Sequence, residues 1–126
     1  MPALKHAQLT EGIIGAAYQV HRVLGAGFLE KVYENALVIE CRERGLAVRQ
    51  QVPTPVWYRE HLVGEHVCDV LVEDTILVEV KAVKQLLDVH HAQVINYLRA
   101  LRLEVGLLLN FGEALEVKRK ILTPPG

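Results

Sequence analysis

In the stretch 69-DVLVEDTILVEVKAV-83, a turn at Glu73-Asp74 separates two apolar runs, and three further charged residues sit inside those runs: Asp69, Glu79 and Lys81. Charged side chains are rarely buried unless they are paired or bound to a metal. Side chains alternate along a strand, so Glu79 and Lys81 project from one face, about 6–7 Å apart along the chain. Whether Asp69 joins them depends on one residue of register. A two-residue turn, Glu73-Asp74, sets Asp69 opposite Val78 and pointing away from Glu79. A three-residue turn, Glu73-Asp74-Thr75, sets Asp69 opposite Glu79 on the same face. In that second case the two carboxylates approach to about 5 Å. They then repel unless a cation lies between them. Hard oxygen ligands of this kind suit Mg²⁺ or Mn²⁺, with water filling the other positions. Lys81 beside such an ion would orient an attacking water or steady charge on a phosphate. Taken alone, D-x9-E-x-K is a weak pattern, and a solvated strand side with scattered charges also fits it. The apolar residues around it favour chemistry over decoration.

The elements that must carry these residues follow from periodicity and breakers. A first helix is expected over about Glu11 to Leu24, capped by Thr10, with Ile13, Ile14, Ala17, Val20 and Leu24 as its apolar stripe. After 25-GAG-27 a second helix is expected over about Phe28 to Arg44, ended by Gly45 as a left-handed cap. Its stripe is Leu29, Val32, Tyr33, Ala36, Leu37 and Glu40. A β region follows from about Val48 to Val83. Pro53 and Pro55 point to an edge or a bend. Val56 to Arg59 and Leu62 to Val72 read as strands around a tight turn at Glu60-His61, and Thr75 to Val83 as the third strand. A third helix is expected over about Val89 to Leu103, capped by Asp88. The run 105-VGLLLNF-111 reads as a strand buried on both faces, and Ala114 to Ile121 as a last edge strand. The order ααβββαβ, with that edge strand, predicts a mixed α/β sandwich on one central sheet.

Bulk properties narrow the function classes. The 126 residues suffice for one domain with one core, residues 1–126. An apolar content of 51% excludes a disordered tail. No run approaches the ~20 apolar residues of a membrane span, and the N-terminus lacks the pattern of a signal peptide. A cytoplasmic, membrane-free protein is expected, with Cys41 and Cys68 as free buried thiols. The net charge of −1 argues against a non-specific, high-affinity nucleic-acid coat. It leaves room for an enzyme that touches a few phosphates. The basic groups Arg42/Arg44, Lys81/Lys84, Arg99/Arg102 and Lys118 to Lys120 read mostly as solvated surface, with a subset near the hairpin suited to a phosphate backbone.

Several motifs extend this reading. The stretch 25-GAGFLEKVYENAL-37 contains Gly27-x-x-Glu30-x-x-Tyr33. Together with 18-YQVHRVLG-25, Asp69, 79-EVK-81, 93-QVINYL-98 and 109-LNFG-112, it resembles the GxxExxY protein family. That family is placed in the PD-(D/E)xK nuclease superfamily, and the resemblance spans about Glu11 to Ile121. It implies a restriction-endonuclease-like αβββαβ core, here with one extra N-terminal helix. It also implies metal-dependent hydrolysis of phosphodiester bonds in nucleic acid, DNA favoured over RNA. Asp69, Glu79 and the carbonyl of Val80 would hold the Mg²⁺ (or Mn²⁺), Glu30 would supplement them, and Lys81 would assist the water. Gln93, four residues before Tyr97 and so on one helix face with it, would lie near the site. The competing expectation is a catalytically inactive module of the same fold that binds nucleic acid or protein. A homodimer would enlarge the substrate surface of so small a domain.

Other clusters are weaker. His90-His91 with His66 and Cys68 match no usual zinc spacing. The GAG triplet lacks the strand and the remainder of a dinucleotide-binding loop. His21 is expected to order the turn between the first two helices rather than to reach the site. Tyr33 is expected in the core with its hydroxyl hydrogen-bonded.

Overall fold

In a computed structural model, residues 6–122 are described. The elements are α1 (Ala7–Leu24), α2 (Glu30–Glu43), β1 (Val48–Tyr58), β2 (His61–Val72), β3 (Ile76–Lys81), α3 (Asp88–Leu101), β4 (Val105–Phe111) and β5 (Leu115–Ile121). The five strands form one sheet in the order β1-β2-β3-β4-β5. Every neighbouring pair is antiparallel except β3 and β4, which run parallel. A parallel pair needs a crossover, and α3 supplies it. The fold is α/β and restriction-endonuclease-like, with the expected core and extra N-terminal helix.

The apolar residues sort into two layers. Ile13, Ala17 and Val20 of α1 and Tyr33, Leu37 and Val38 of α2 pack with Val78, Val80, Leu107 and Leu109 on one side of the sheet. Val94 and Leu98 of α3 pack with Leu71, Leu77 and Leu108 on the other. All seven residues of β4 are therefore buried, as a strand covered on both faces requires. The approach of α3 is close at Gly106, where a Cβ would come within 2.9 Å of Val94 Cγ1.

Local departures from the sequence reading have physical causes. Helix α1 begins earlier, at Ala7. Thr10 lies inside it, its hydroxyl donating back to the carbonyls of Ala7 (3.0 Å) and His6 (3.2 Å) instead of capping. Asp88 is likewise inside α3. The residue before it, Leu87, donates its N–H to His90 Nδ1 at 3.0 Å. Helix α2 starts at Glu30, which leaves Leu29 outside it; Leu29 and, within the helix, Val32 were both expected in its stripe and are solvent-exposed. Gly45 does terminate α2, at φ 85°. The first hairpin turns at Arg59-Glu60, since Tyr58 pairs with His61, one residue earlier than expected. Pro53 and Pro55 do not break β1. They are accommodated because β1 is an edge strand.

One irregularity bears on function. Gln51 has φ 53°, a left-handed backbone that is uncommon for a residue with a side chain. It falls in the ladder between Gln50↔Val70 and Val52↔Cys68, opposite Asp69. On one side of this point Val48, Val70 and Val72 belong to the layer under α1 and α2. Beyond it Val52 and Cys68 belong to the layer under α3. Even-numbered residues thus change sides at Gln51 and Asp69 with the register kept, so the cause is the left-handed backbone of Gln51 and not an inserted residue. The register itself shifts only later, between Val56 and Trp57.

Candidate active site

The pairing Val70↔Val78, Leu71↔Leu77 and Val72↔Ile76 leaves residues 73–75 as the turn. This is the three-residue alternative, and its continuation sets Asp69 opposite Glu79. At that point carboxylates replace the backbone pairing. The Asp69 N–H donates to Glu79 Oε1 at 3.0 Å, and the Val80 N–H donates to Asp69 Oδ2 at 2.8 Å. The two carboxyl groups also lie within hydrogen-bonding reach of each other.

Glu79 is only 4% exposed. Burial, then the neighbouring Asp69 charge, pushes its carboxyl up to about 8. Burial also raises Asp69, while its bonds from Val80 and Glu79 pull the other way. Both carboxyls are thus raised, and the pair holds a proton above the ordinary carboxylate range. Close like charges in a poorly solvated place cannot both ionise without a compensating cation.

Lys81 lies at the end of β3, and its ammonium lowers the pKa of Glu79, Asp69 and Glu30. Glu30, the first residue of α2, is raised by partial burial and by the Asp69 charge. These four expected site residues are thus one electrostatic cluster. Val80 enters it through its N–H. Gln93 and Tyr97 of α3 line one groove, and the Tyr97 hydroxyl is raised by burial and then by Glu79 and Asp69. Gln93 is therefore one helical turn from a residue that senses the acids.

Glu34 was not among the expected residues, yet it is 3% exposed. It follows Glu30 by one helical turn, which was the signal available in the sequence. Its Oε2 accepts from Lys31 Nζ (2.9 Å), Gln50 Nε2 (2.7 Å) and Gln51 Nε2 (3.0 Å), and its Oε1 accepts from Gln51 Nε2 (3.1 Å). Adjacent strand residues ordinarily point to opposite faces. The left-handed Gln51 lets both amides converge on one carboxylate. The Glu34 charge also raises the Asp69 pKa. Glu34 thus links α2 to the left-handed point of β1 opposite Asp69.

The remaining candidates separate from this cluster. His21 does not join the acids: its carbonyl accepts from the Gly25 N–H at the start of the interhelical turn (2.8 Å), while its ring Nε2 is 2.8 Å from the carbonyl oxygen of Gly112, just past the end of β4. The Tyr33 side chain orders the rest of that turn. Its hydroxyl donates to Gly25 O at 2.6 Å and accepts from the Phe28 N–H at 3.2 Å, and its ring stacks on Phe111 at 4.7 Å. The free thiol of Cys68 is buried and pushed up to about 11, which opposes zinc binding there. Among the described residues no three His, Cys, Asp or Glu side chains form a ready metal cage. A hard divalent ion does not require one. Mg²⁺ commonly takes one or two carboxylates and keeps several waters, and the Asp69–Glu79 pair matches that donor set.

A family model described as the PD-(D/E)XK nuclease superfamily matches residues 7–121. Comparisons with curated proteins and with solved structures return no match. No described helix is long and apolar enough to cross a membrane.

Proposed function

This chain belongs to the PD-(D/E)XK nuclease superfamily, and from that premise we propose that it is a divalent-metal-dependent phosphodiesterase acting on nucleic acid. DNA is placed ahead of RNA on the family resemblance alone. Within the superfamily, Gly27, Glu30 and Tyr33 support assignment to the GxxExxY proteins. The observation that carries the reading is the Asp69–Glu79 pair, with Glu79 buried and Asp69 half-buried, whose cost to the metal-free fold is relieved by a cation.

Asp69, Glu79 and the Val80 carbonyl would hold Mg²⁺ or Mn²⁺, with Glu30 as a supplementary carboxylate. When bound, the ion supplies stabilisation of phosphoryl charge. The acid pair must first release the proton it retains, since burial and Asp69 push the Glu79 carboxyl up to about 8. Affinity for the ion should therefore rise with pH toward that value. The Lys81 ammonium then meets the charge that develops on the phosphate and orients the attacking water. Gln93 holds substrate or Lys81 in register. One five-stranded sheet with three helices packed on it supports reading residues 1–126 as one nuclease-like domain. Two free buried thiols are consistent with a cytoplasmic setting. A homodimer would widen the substrate surface.

The test is Mg²⁺-dependent degradation of single- and double-stranded DNA and RNA, run beside Glu79→Ala. Cleavage by wild type that is lost in the variant is expected. Binding without cleavage by the wild type would favour the catalytically inactive module.

A further inference from the structure

A groove of about 570 Å³ runs between α3 and the β1–β2 hairpin, beside the acid cluster. Its size is that of a small-molecule site. Trp57, the chain's one tryptophan, lines it and is 60% exposed. An indole left this open in a folded chain is a surface prepared for contact. Across from it, the rings of His66 on β2 and Tyr97 on α3 meet at 5.7 Å and 49°. Arg99 and Arg102 complete the charged part of the lining, which contains no carboxylate. The whole chain is slightly acidic, so this local positive character is not a reflection of composition.

Aromatic faces beside guanidinium groups suit a base and its phosphate. A base paired within a duplex has its faces covered by its neighbours, so it reaches such a groove only after unstacking. One lining residue, Tyr97, also feels the charges of Glu79 and Asp69. A base stacked on Tyr97 therefore lies on the same side of the sheet as α3, in electrostatic range of the carboxylates.

We propose that this groove binds an unpaired nucleotide of the substrate strand, which makes single-stranded or frayed nucleic acid the preferred substrate class. The inference rests on the nuclease reading and deepens it. Trp57 and Tyr97 supply the stacking faces, and Arg99 and Arg102 the phosphate contacts.

The test uses Trp57 emission as the readout, with Ca²⁺ in place of Mg²⁺ to separate binding from cleavage. Titration with a short oligothymidylate should quench the emission saturably, and a blunt duplex of the same length should do so far less. In competition against a labelled oligothymidylate, Trp57→Leu should weaken binding by about tenfold, as loss of one stacked base does. Arg102 has φ 57°, so Arg102→Asn removes the charge while retaining a residue that tolerates that backbone. It should lower the salt dependence of binding by about one phosphate contact, a slope change of about 0.7. Single-strand binding unchanged in Trp57→Leu would overturn the inference, as would emission unmoved at saturation. Tighter quenching by an acidic peptide than by the oligonucleotide would assign the groove to a protein partner and overturn it equally. If nucleic acid is bound and cut while Trp57→Leu changes neither, the groove assignment alone fails. If nucleic acid is neither bound nor cut, the nuclease reading fails with it.

Discussion

Replacing Glu79 by Gln should make the metal-free protein more stable, not less. Gln has the shape of protonated Glu and can still accept from the Asp69 N–H. The wild-type carboxyl is pushed from 4.5 to about 8 by burial and by Asp69. Below pH 4.5 it is protonated in both folded and unfolded chains, and its contribution to stability is fully present. As pH rises toward 8 the unfolded chain releases the proton while the folded chain retains it, so stability is lost. One pKa unit corresponds to about 1.4 kcal/mol, so near neutral pH the penalty is about 3 kcal/mol. For a chain of this length that is on the order of 10 °C in melting temperature. Thermal melts in chelator from about pH 5 to pH 9 should show the Glu79→Gln advantage widening to about pH 8 and then levelling off. Millimolar Mg²⁺ should narrow the gap by raising the wild-type melting temperature, since it binds the folded site. A variant as stable as wild type near neutral pH, or an advantage that does not change with pH, would refute the reasoning.

Lys81→Met should keep the fold and the Mg²⁺-induced rise in melting temperature, because the aliphatic stem is preserved. Its cleavage rate should fall at least a hundredfold, and gel-based turnover beside a melt separates the two effects. Glu34→Ala removes a buried carboxylate that accepts from three side chains. It should cost about 2–3 kcal/mol, measured by urea unfolding, whether or not metal is present. Gly106→Ala drives a Cβ to within 2.9 Å of Val94 Cγ1. It should cost about 1–3 kcal/mol through overpacking, again read from urea unfolding.

The parts of the fold legible in the sequence were those with a strong local period. The run from Val105 to Phe111 is apolar except for Asn110, and the structure covers it on both sides, with the Asn110 amide satisfied by the Val83 backbone. Helix α3 came within two residues at each end because Val94 and Leu98 repeat at helical spacing. The acid pairing was legible only as an alternative. A turn of two residues and a turn of three are both compatible with Glu73-Asp74-Thr75, and the observed ladder selects the longer. Other features had no local mark. Leu29 and Val32 fit a helical stripe, but α2 begins at Glu30 and they face water. Glu34 looks like a surface acid until Gln50 and Gln51, distant in sequence, supply its donors. The left-handed backbone of Gln51 appears in a residue with no special preference for it. The groove combines β1, β2 and α3, so no single segment announces it.

The point where β2 and β3 part also makes the site observable without any substrate. The N–H groups of Asp69 and Val80 end on Glu79 and Asp69 carboxylate oxygens, not on carbonyls. An amide bonded to a titrating group changes its electronic surroundings when that group loses a proton or turns toward an ion. These two amides are therefore internal reporters. Their NMR resonances should move with pH near 8 and with added Mg²⁺, while those of Val78 and Leu107 in the adjoining ladder stay nearly fixed. Occupancy of the acids can then be followed in a chain that cuts nothing at all.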